Sequence, residues 1–288
     1  MTDLIAEIRD SLIEAGISPK KILSQNFLVN SEILERQIQY AEISEKDTVL
    51  EIGGGTGVLT ERLARKAHRV YCIEYDRMLA SYLRRKFQKK ENVTILEGDV
   101  LKLELPKVNK IVANLPYHIS SPITFKLLEH EFEVAVLMYQ LEFAKRMIAK
   151  PRSNDYSRLS ANLQYQAEVK IVEKISKGNF YPPPKVDSAV VEIKLKDAVL
   201  PVDPKAFGVV TRILFNTKNK LVSAVFYDYF KKLLQKEQRF AFKKEIDQKL
   251  SLAKTRVREL SINDLVTITI ELQDVLTATN KLHLLPTK

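Results

Sequence analysis

The chain has 288 residues, 45% of them apolar and 28% charged, and its 46 Lys and Arg outnumber 36 Asp and Glu for a net charge of +10. That length supports one full core and a second small domain, and no segment approaches the roughly 20 uninterrupted apolar residues that a membrane helix needs. The positive excess is denser toward the C-terminus, four in residues 1–196 and six in residues 197–288, and it points to a large polyanion such as nucleic acid.

The opening "MTDLIAEIRDSLIEAGI" alternates charged and apolar residues at helical spacing. This is unlike the apolar core of a secretory signal, so cytoplasmic residence is the expectation. "QNFLVNSEILERQ" reads as a helix entry in which Asn30 caps a helix starting at Ser31. Strand-like runs then recur with helical patterns between them: "TVLEIG" (48–53), "RVYCIE" (69–74), "NVTILEGD" (92–99), "KIVAN" (110–114) and "EVAVLMY" (133–139). Such alternation predicts a parallel sheet covered on both faces. Two further β-rich runs, "AEVKIVEKIS" (167–176) and "AVVEIKL" (189–195), are joined by the Pro-rich "GNFYPPPKVDS". A connection that short suits an antiparallel pair and brings the count to seven strands, the last antiparallel. Beyond Pro201 and Pro204 the β pattern stops and short amphipathic helices with basic faces follow, such as residues 230–250. The predicted architecture is α/β, a Rossmann-like seven-stranded sheet over residues 1–198 with a small all-helical domain over 199–288. The lone Cys72 has no partner for a disulfide or metal cluster and reads as a small core residue.

Four glycines, Gly53, Gly54, Gly55 and Gly57, stand directly after the first strand and before a helix. Glycines there let the backbone turn tightly toward a ligand while the helix start presents free N–H groups. A dinucleotide fingerprint needs glycine at the first, third and sixth positions, and counting from Gly53 the sixth is Val58. The spacing is instead Gly-x-Gly-x-Gly with acidic Glu51 just before it, which counts against a nicotinamide oxidoreductase. Glu74 closes the second strand, where a carboxylate can accept from both hydroxyls of a ribose, and Asp99 ends the third, where it can accept from an adenine amino group. Each acid alone is equally readable as a strand-end charge or a helix cap. In "ANLPYHIS" Pro116 forces the chain out of the fourth strand and leaves Asn114 at its end. Ligands of open α/β sheets bind at such strand ends.

In order and spacing, "KKILSQNFLVN", "LEIGGGTGVLT", "CIEYD", "EGDVL", "VANLPYHISSPI" and "GNFYPPPKVDSAVV" resemble the ribosomal RNA adenine dimethylases, the KsgA family of class I S-adenosylmethionine-dependent methyltransferases. The resemblance spans residues 18–195, and the basic tail fits that family's C-terminal domain more loosely. It departs at Ser24 and Gly54, where the family more often has Gly and Pro.

The resemblance implies that Asn26 and the backbone of Leu28 hold the methionine end of S-adenosyl-L-methionine, with Gly53 and Gly55 against it. Glu74 would bind the ribose, Asp99 and Val100 the cofactor's adenine, and Asn114 would reach both cofactor and target. It further implies that Asn114 and the Leu115 carbonyl accept from an adenine amine, that Pro116 makes this turn rigid, and that Tyr117 and Phe180 stack on the target base. The blander reading of Tyr117 and Phe180 is core packing. His118 is not needed for this chemistry. The implied substrate is a pair of adjacent adenines in a hairpin loop near the 3′ end of small-subunit ribosomal RNA, methylated by a monomeric protein on a partly assembled small subunit. The competing relatives are the large-subunit methylases of macrolide resistance and a non-catalytic RNA-binding assembly factor. Lys218, Lys220, Lys243, Lys244, Arg256 and Arg258 are candidate phosphate contacts.

Overall fold

A computed structural model describes residues 4–17, 26–196 and 200–285. Ser24 therefore lies outside the described residues, as do 197–199 at the expected domain boundary. The chain divides into two compact units, one formed by residues 1–144 and 168–195 and the other by 145–167 and 196–288.

The first unit opens with helix α1 (Leu4–Glu14), which buries Leu4, Ile8 and Leu12 along one stripe. A two-residue strand β1 (Phe27–Leu28) precedes α2 (Ser31–Tyr40), whose N-cap is Asn30; its side chain accepts from the backbone N–H of Glu32 and Ile33. Strands β2 (Thr48–Ile52), β3 (Arg69–Glu74) and β4 (Val93–Glu97) alternate with α3 (Val58–Ala64) and α4 (Arg77–Lys86). They are followed by β5 (Lys110–Asn114), α5 (Ser120–Leu128) and β6 (Val134–Gln140), which runs into α6 (Leu141–Met147). After an excursion into the second unit come β7 (Ala167–Ile175), a second two-residue strand β8 (Phe180–Tyr181) and β9 (Ser188–Leu195).

The sheet order is β4-β3-β2-β5-β6-β9-β7. Strands β2, β3, β4, β5 and β6 are parallel where paired, and β9 runs antiparallel to β6 from Val134↔Lys194 to Gln140↔Ser188. This is the seven-stranded sheet expected from the sequence, with its last strand reversed. Strands β5 and β6 read as continuous apolar runs because helices cover both faces. The order doubles back between β2 and β5, so a crevice opens at their carboxyl ends. The two-residue strands pair with each other, Phe27↔Tyr181 and Leu28↔Phe180, and so join two segments that lie far apart in sequence.

The described residues of the second unit form helices, α7 (Arg158–Gln166), α8 (Pro204–Phe215), α9 (Val222–Phe230), α10 (Lys236–Lys249) and α11 (Ile262–Ala278), with one isolated antiparallel bridge between Leu221 and Arg256. Its core draws on Tyr156, Ala161 and Tyr165 as well as on the C-terminal helices. The Tyr165 ring stacks on Phe207 at 4.0 Å, and its hydroxyl donates to the Val202 carbonyl at 2.6 Å. Residues 145–167 therefore belong with the helices, whereas a boundary at 198 assigns them to the sheet. The reason is packing: this segment follows β6 in sequence but buries its aromatic rings in the helical core.

Three of the six basic candidates have local partners in this unit. Lys218 donates to the carbonyls of Asn154 and Tyr156, Lys220 pairs with Asp228, and Arg256 donates to the Asn219 carbonyl. Lys243, Lys244 and Arg258 are exposed, Lys243 with its ammonium 5.5 Å from the Tyr227 ring centre.

Candidate active site

At the carboxyl ends of β2 to β5 the first unit encloses a cavity of about 850 Å³. The glycine loop forms its floor. Gly53 (φ 82°) and Gly55 (φ 56°) adopt left-handed geometry that L side chains rarely take. A Cβ on Gly53 would lie 3.7 Å from the Pro116 ring, so this loop and the β5 turn are immediate neighbours. Gly54 faces the other way, where any Cβ would collide with Cys72 Sγ and the Leu83 side chain. The cysteine beneath it explains why this position holds glycine and has no room for a proline ring.

Two acids flank the loop and differ in their surroundings. Glu74 Oε2 accepts from Gly55 N–H at 2.9 Å and Oε1 from Asp76 N–H at 2.8 Å. Burial raises its pKa, and these backbone donors pull it partly back. The Tyr75 N–H adds a third backbone bond to this carboxylate, which has about four acceptor sites in all. Glu51, next to the loop on β2, is 1% exposed, and its Oε2 has no hydrogen-bond partner among the described residues. Burial pushes its pKa up to about 8, opposed by hydrogen bonds with Thr60 and Cys72 and reinforced by the nearby charge of Glu74. The same burial raises the Cys72 thiol, which stays protonated in the core as the sequence predicts. Asp99 is part-buried beyond β4; its Oδ1 accepts from Leu101 N–H at 3.0 Å, so it caps the following turn while lining the cavity.

The opposite wall is the turn after β5. Asn114 ends that strand, and its Oδ1 accepts from Gln37 Nε2 at 2.8 Å. The hydroxyls of Tyr117 and Ser188 lie 2.7 Å apart, which ties the ring to the first residue of β9. Phe180, 5% exposed, reaches the same cavity through the β1–β8 pairing. Around it Asn30 Nδ2 donates to Asn179 Oδ1 at 2.9 Å, and Val29 N–H to the Asn179 carbonyl at 2.8 Å.

All twelve residues expected at the site line this one cavity: Asn26, Leu28, Gly53, Gly55, Glu74, Asp99, Val100, Asn114, Leu115, Pro116, Tyr117 and Phe180. His118 lines it too. The structure adds Glu51, Gln37 and Ser188, to which the sequence reading assigned no role. The first two carry a legible signal, since each is a polar residue inside an otherwise apolar buried run. Ser188 carries none, because its meeting with Tyr117 spans 71 positions.

The family profile described as "Ribosomal RNA adenine dimethylase" matches residues 17–274 of this chain. The chain belongs to the ribosomal RNA adenine dimethylase family. It is 44% identical over 252 residues to a probable ribosomal RNA small subunit methyltransferase A from Thermococcus sibiricus, covering 87% of this chain and 90% of that one. Among solved structures, a dimethyladenosine transferase from Plasmodium falciparum superposes with a TM-score of 0.76 at 31% identity, over 86% of this chain and 98% of its own. The 23S rRNA methyltransferase ErmE superposes with a TM-score of 0.62 at 28% identity, over 86% and 99% respectively. Family membership makes the chain an adenine dimethyltransferase, and the cavity is where its expected catalytic residues meet.

Proposed function

We propose that this dimethylase uses S-adenosyl-L-methionine to convert two adjacent adenines, in a hairpin loop near the 3′ end of small-subunit ribosomal RNA, to N6,N6-dimethyladenosine. The observation that carries the reading is the convergence of the glycine loop, Glu74, Asp99 and the Asn-Leu-Pro-Tyr turn on one cavity. The residues fit the cofactor: the Glu74 carboxylate lines the cavity beside the glycine loop and keeps acceptor capacity for a ribose hydroxyl. Gly53 and Gly55 line the cavity in a left-handed backbone conformation that L side chains rarely take, so bare backbone faces the ligand there.

When bound, S-adenosyl-L-methionine supplies an electrophilic methyl group on a sulfonium sulfur. The amine of adenine is a poor nucleophile because its lone pair is delocalised into the ring. Asn114 Oδ1 and the Leu115 carbonyl accept its two hydrogens and favour a pyramidal nitrogen with its lone pair turned toward the cofactor. These acceptors match a nitrogen gaining positive charge better than a planar neutral one, so they act mainly on the transition state. The proton then leaves a cationic nitrogen, which needs no strong base. Tyr117, held at its hydroxyl by Ser188, and Phe180 present aromatic faces to a base taken out of its stack, a contact worth roughly 1–3 kcal/mol per base. The exposed Lys243, Lys244 and Arg258 supply phosphate contacts in the helical unit. The hairpin is presented on a partly assembled small subunit, whose shape the basic helices engage.

The test is mass spectrometry of adenosines after incubating the protein and cofactor with unmethylated small subunits. Dimethyladenosine is expected in small-subunit RNA, with Asn114→Ala nearly inactive while the fold and RNA binding persist. Methylation confined to large-subunit RNA, or a monomethylated end product, contradicts the assignment. Single-turnover rates for Asn114→Ala within about twofold of wild type contradict the role of Asn114.

A further inference from the structure

Helix α2 turns Ile33, Leu34, Gln37 and Ile38 into the core, so one face of a short helix is apolar except at its centre. Gln37 is fully buried. Its Nε2 donates to Asn114 Oδ1 at 2.8 Å, while its own Oε1 has no hydrogen-bond partner among the described residues. A leucine would fill this position without leaving a buried carbonyl oxygen unpaired, so packing alone does not account for a glutamine here. Among the described residues, Gln37 is not part of the cavity wall and meets the site through Asn114.

From this contact we infer that Gln37 is a positioning residue for the methyl-transfer step, fixing the carboxamide of Asn114 so that Oδ1 is held at one place. The inference rests on the proposed role of Asn114 as acceptor for the target amine. A carboxamide at the end of a strand can turn over about its last torsion, exchanging an acceptor for a donor of nearly the same shape. Asn114 with its amino end at the acceptor position would present hydrogens to an amine that also presents hydrogens. A donor behind Oδ1 disfavours that orientation: turned over alone, the amide would face Gln37 Nε2 with another N–H, and turning both amides over would put the two hydrogens of Gln37 Nε2 at the buried place where Oε1 now lies unpaired, a costlier orphan than a carbonyl oxygen. The carbonyl oxygen has two lone pairs, so one bond from Gln37 leaves the second for the amine. The need is greatest in the second transfer, when the monomethylated amine has only one hydrogen left to be held.

The experiment compares wild type, Gln37→Leu and Gln37→Glu on unmethylated small subunits, with cofactor affinity, melting temperature and the Asn114 side-chain amide resonances recorded alongside. Those resonances are assigned by their loss in Asn114→Asp. Gln37→Leu is expected to melt no lower than wild type and to bind cofactor within about twofold. Its single-turnover rate should fall about tenfold, equivalent to about 1.4 kcal/mol, with monomethyladenosine accumulating and the Asn114 amide signals shifted or broadened. The carboxyl introduced by Gln37→Glu can donate only when protonated. The rate of that variant relative to wild type should therefore fall as pH rises through the titration of the introduced carboxyl, a limb that simple space-filling does not produce. Wild-type dimethylation with an unchanged rate and product ratio in Gln37→Leu overturns the inference and leaves the function standing. If Gln37→Glu does not fold, the Gln37→Leu rate and Asn114 resonances decide alone. Absence of adenine methylation by wild type overturns the function, and unmoved Asn114 resonances in Gln37→Leu then overturn the contact as well.

Discussion

Glu51 lies inside β2 with 1% of its surface exposed and one carboxylate oxygen unpaired, and its pKa is pushed up to about 8 from an ordinary 4.5. The folded protein therefore keeps a proton on Glu51 over a pH range in which the unfolded chain has released it. Between pH 4.5 and 8 the folded state binds more protons, so stability falls as pH rises and levels off above the folded-state pKa. Each pH unit in that window is worth about 1.4 kcal/mol, which gives roughly 4 kcal/mol between pH 5 and 8. Glu51→Gln removes the titration but keeps the shape. Any constant cost of the amide cancels when the variant's stability is compared with wild type at several pH values. Urea unfolding of both proteins at pH 5, 6.5 and 8, at fixed ionic strength, should show Glu51→Gln gaining on wild type by several kcal/mol across the series. Parallel pH profiles, differing by a constant within about 1 kcal/mol, would refute the reasoning, because they would mean Glu51 ionises in the fold as easily as in water.

Glu74→Ala removes the acceptor for Gly55 and Asp76 as well as the proposed ribose acceptor, and calorimetry should register a loss of about 2–3 kcal/mol in S-adenosyl-L-methionine affinity. A parallel titration with NADH should give no binding, and a tight complex there would favour an oxidoreductase. Gly54→Ala should destabilise the first unit by about 1–3 kcal/mol, with part recovered in a Cys72→Ala background, since the new methyl would strike that sulfur; equal losses in both backgrounds would exclude the clash. Replacing Lys243, Lys244 and Arg258 together should lower the slope of log K against log salt for RNA binding by about 2 to 3, at somewhat under one per contact. Lys218→Ala and Arg256→Ala should instead appear in unfolding curves, because their side chains hold backbone carbonyls within the helical unit.

Much of this protein is legible in local patterns. The seven strand runs, the Asn30 cap and the turn at Pro116 follow from periodicity, side-chain capping and the fixed φ of proline, all of which act over a few residues. Gly53, Gly55, Glu74, Asp99 and Asn114 are legible because strand ends on one edge of a parallel sheet share one crevice whatever the intervening helices contain, whereas Asn26, Leu28, Tyr117 and Phe180 are expected there only through the family resemblance. What the sequence left undecided depends on contacts between segments distant along the chain. The pairing of Leu28 with Phe180 is set by two-residue strands too short to have a periodicity. The placement of residues 145–167 is set by which core accepts Tyr156 and Tyr165. The division of six basic residues into structural and exposed ones depends on whether a backbone carbonyl or a carboxylate lies within reach of each. Gln37 and Glu51 stand out as polar residues in apolar runs, but what each meets there is visible only once the chain is folded. A buried polar group takes its meaning from its neighbours, and those neighbours, Asn114 for one and Thr60, Cys72 and Glu74 for the other, are brought to it by tertiary packing.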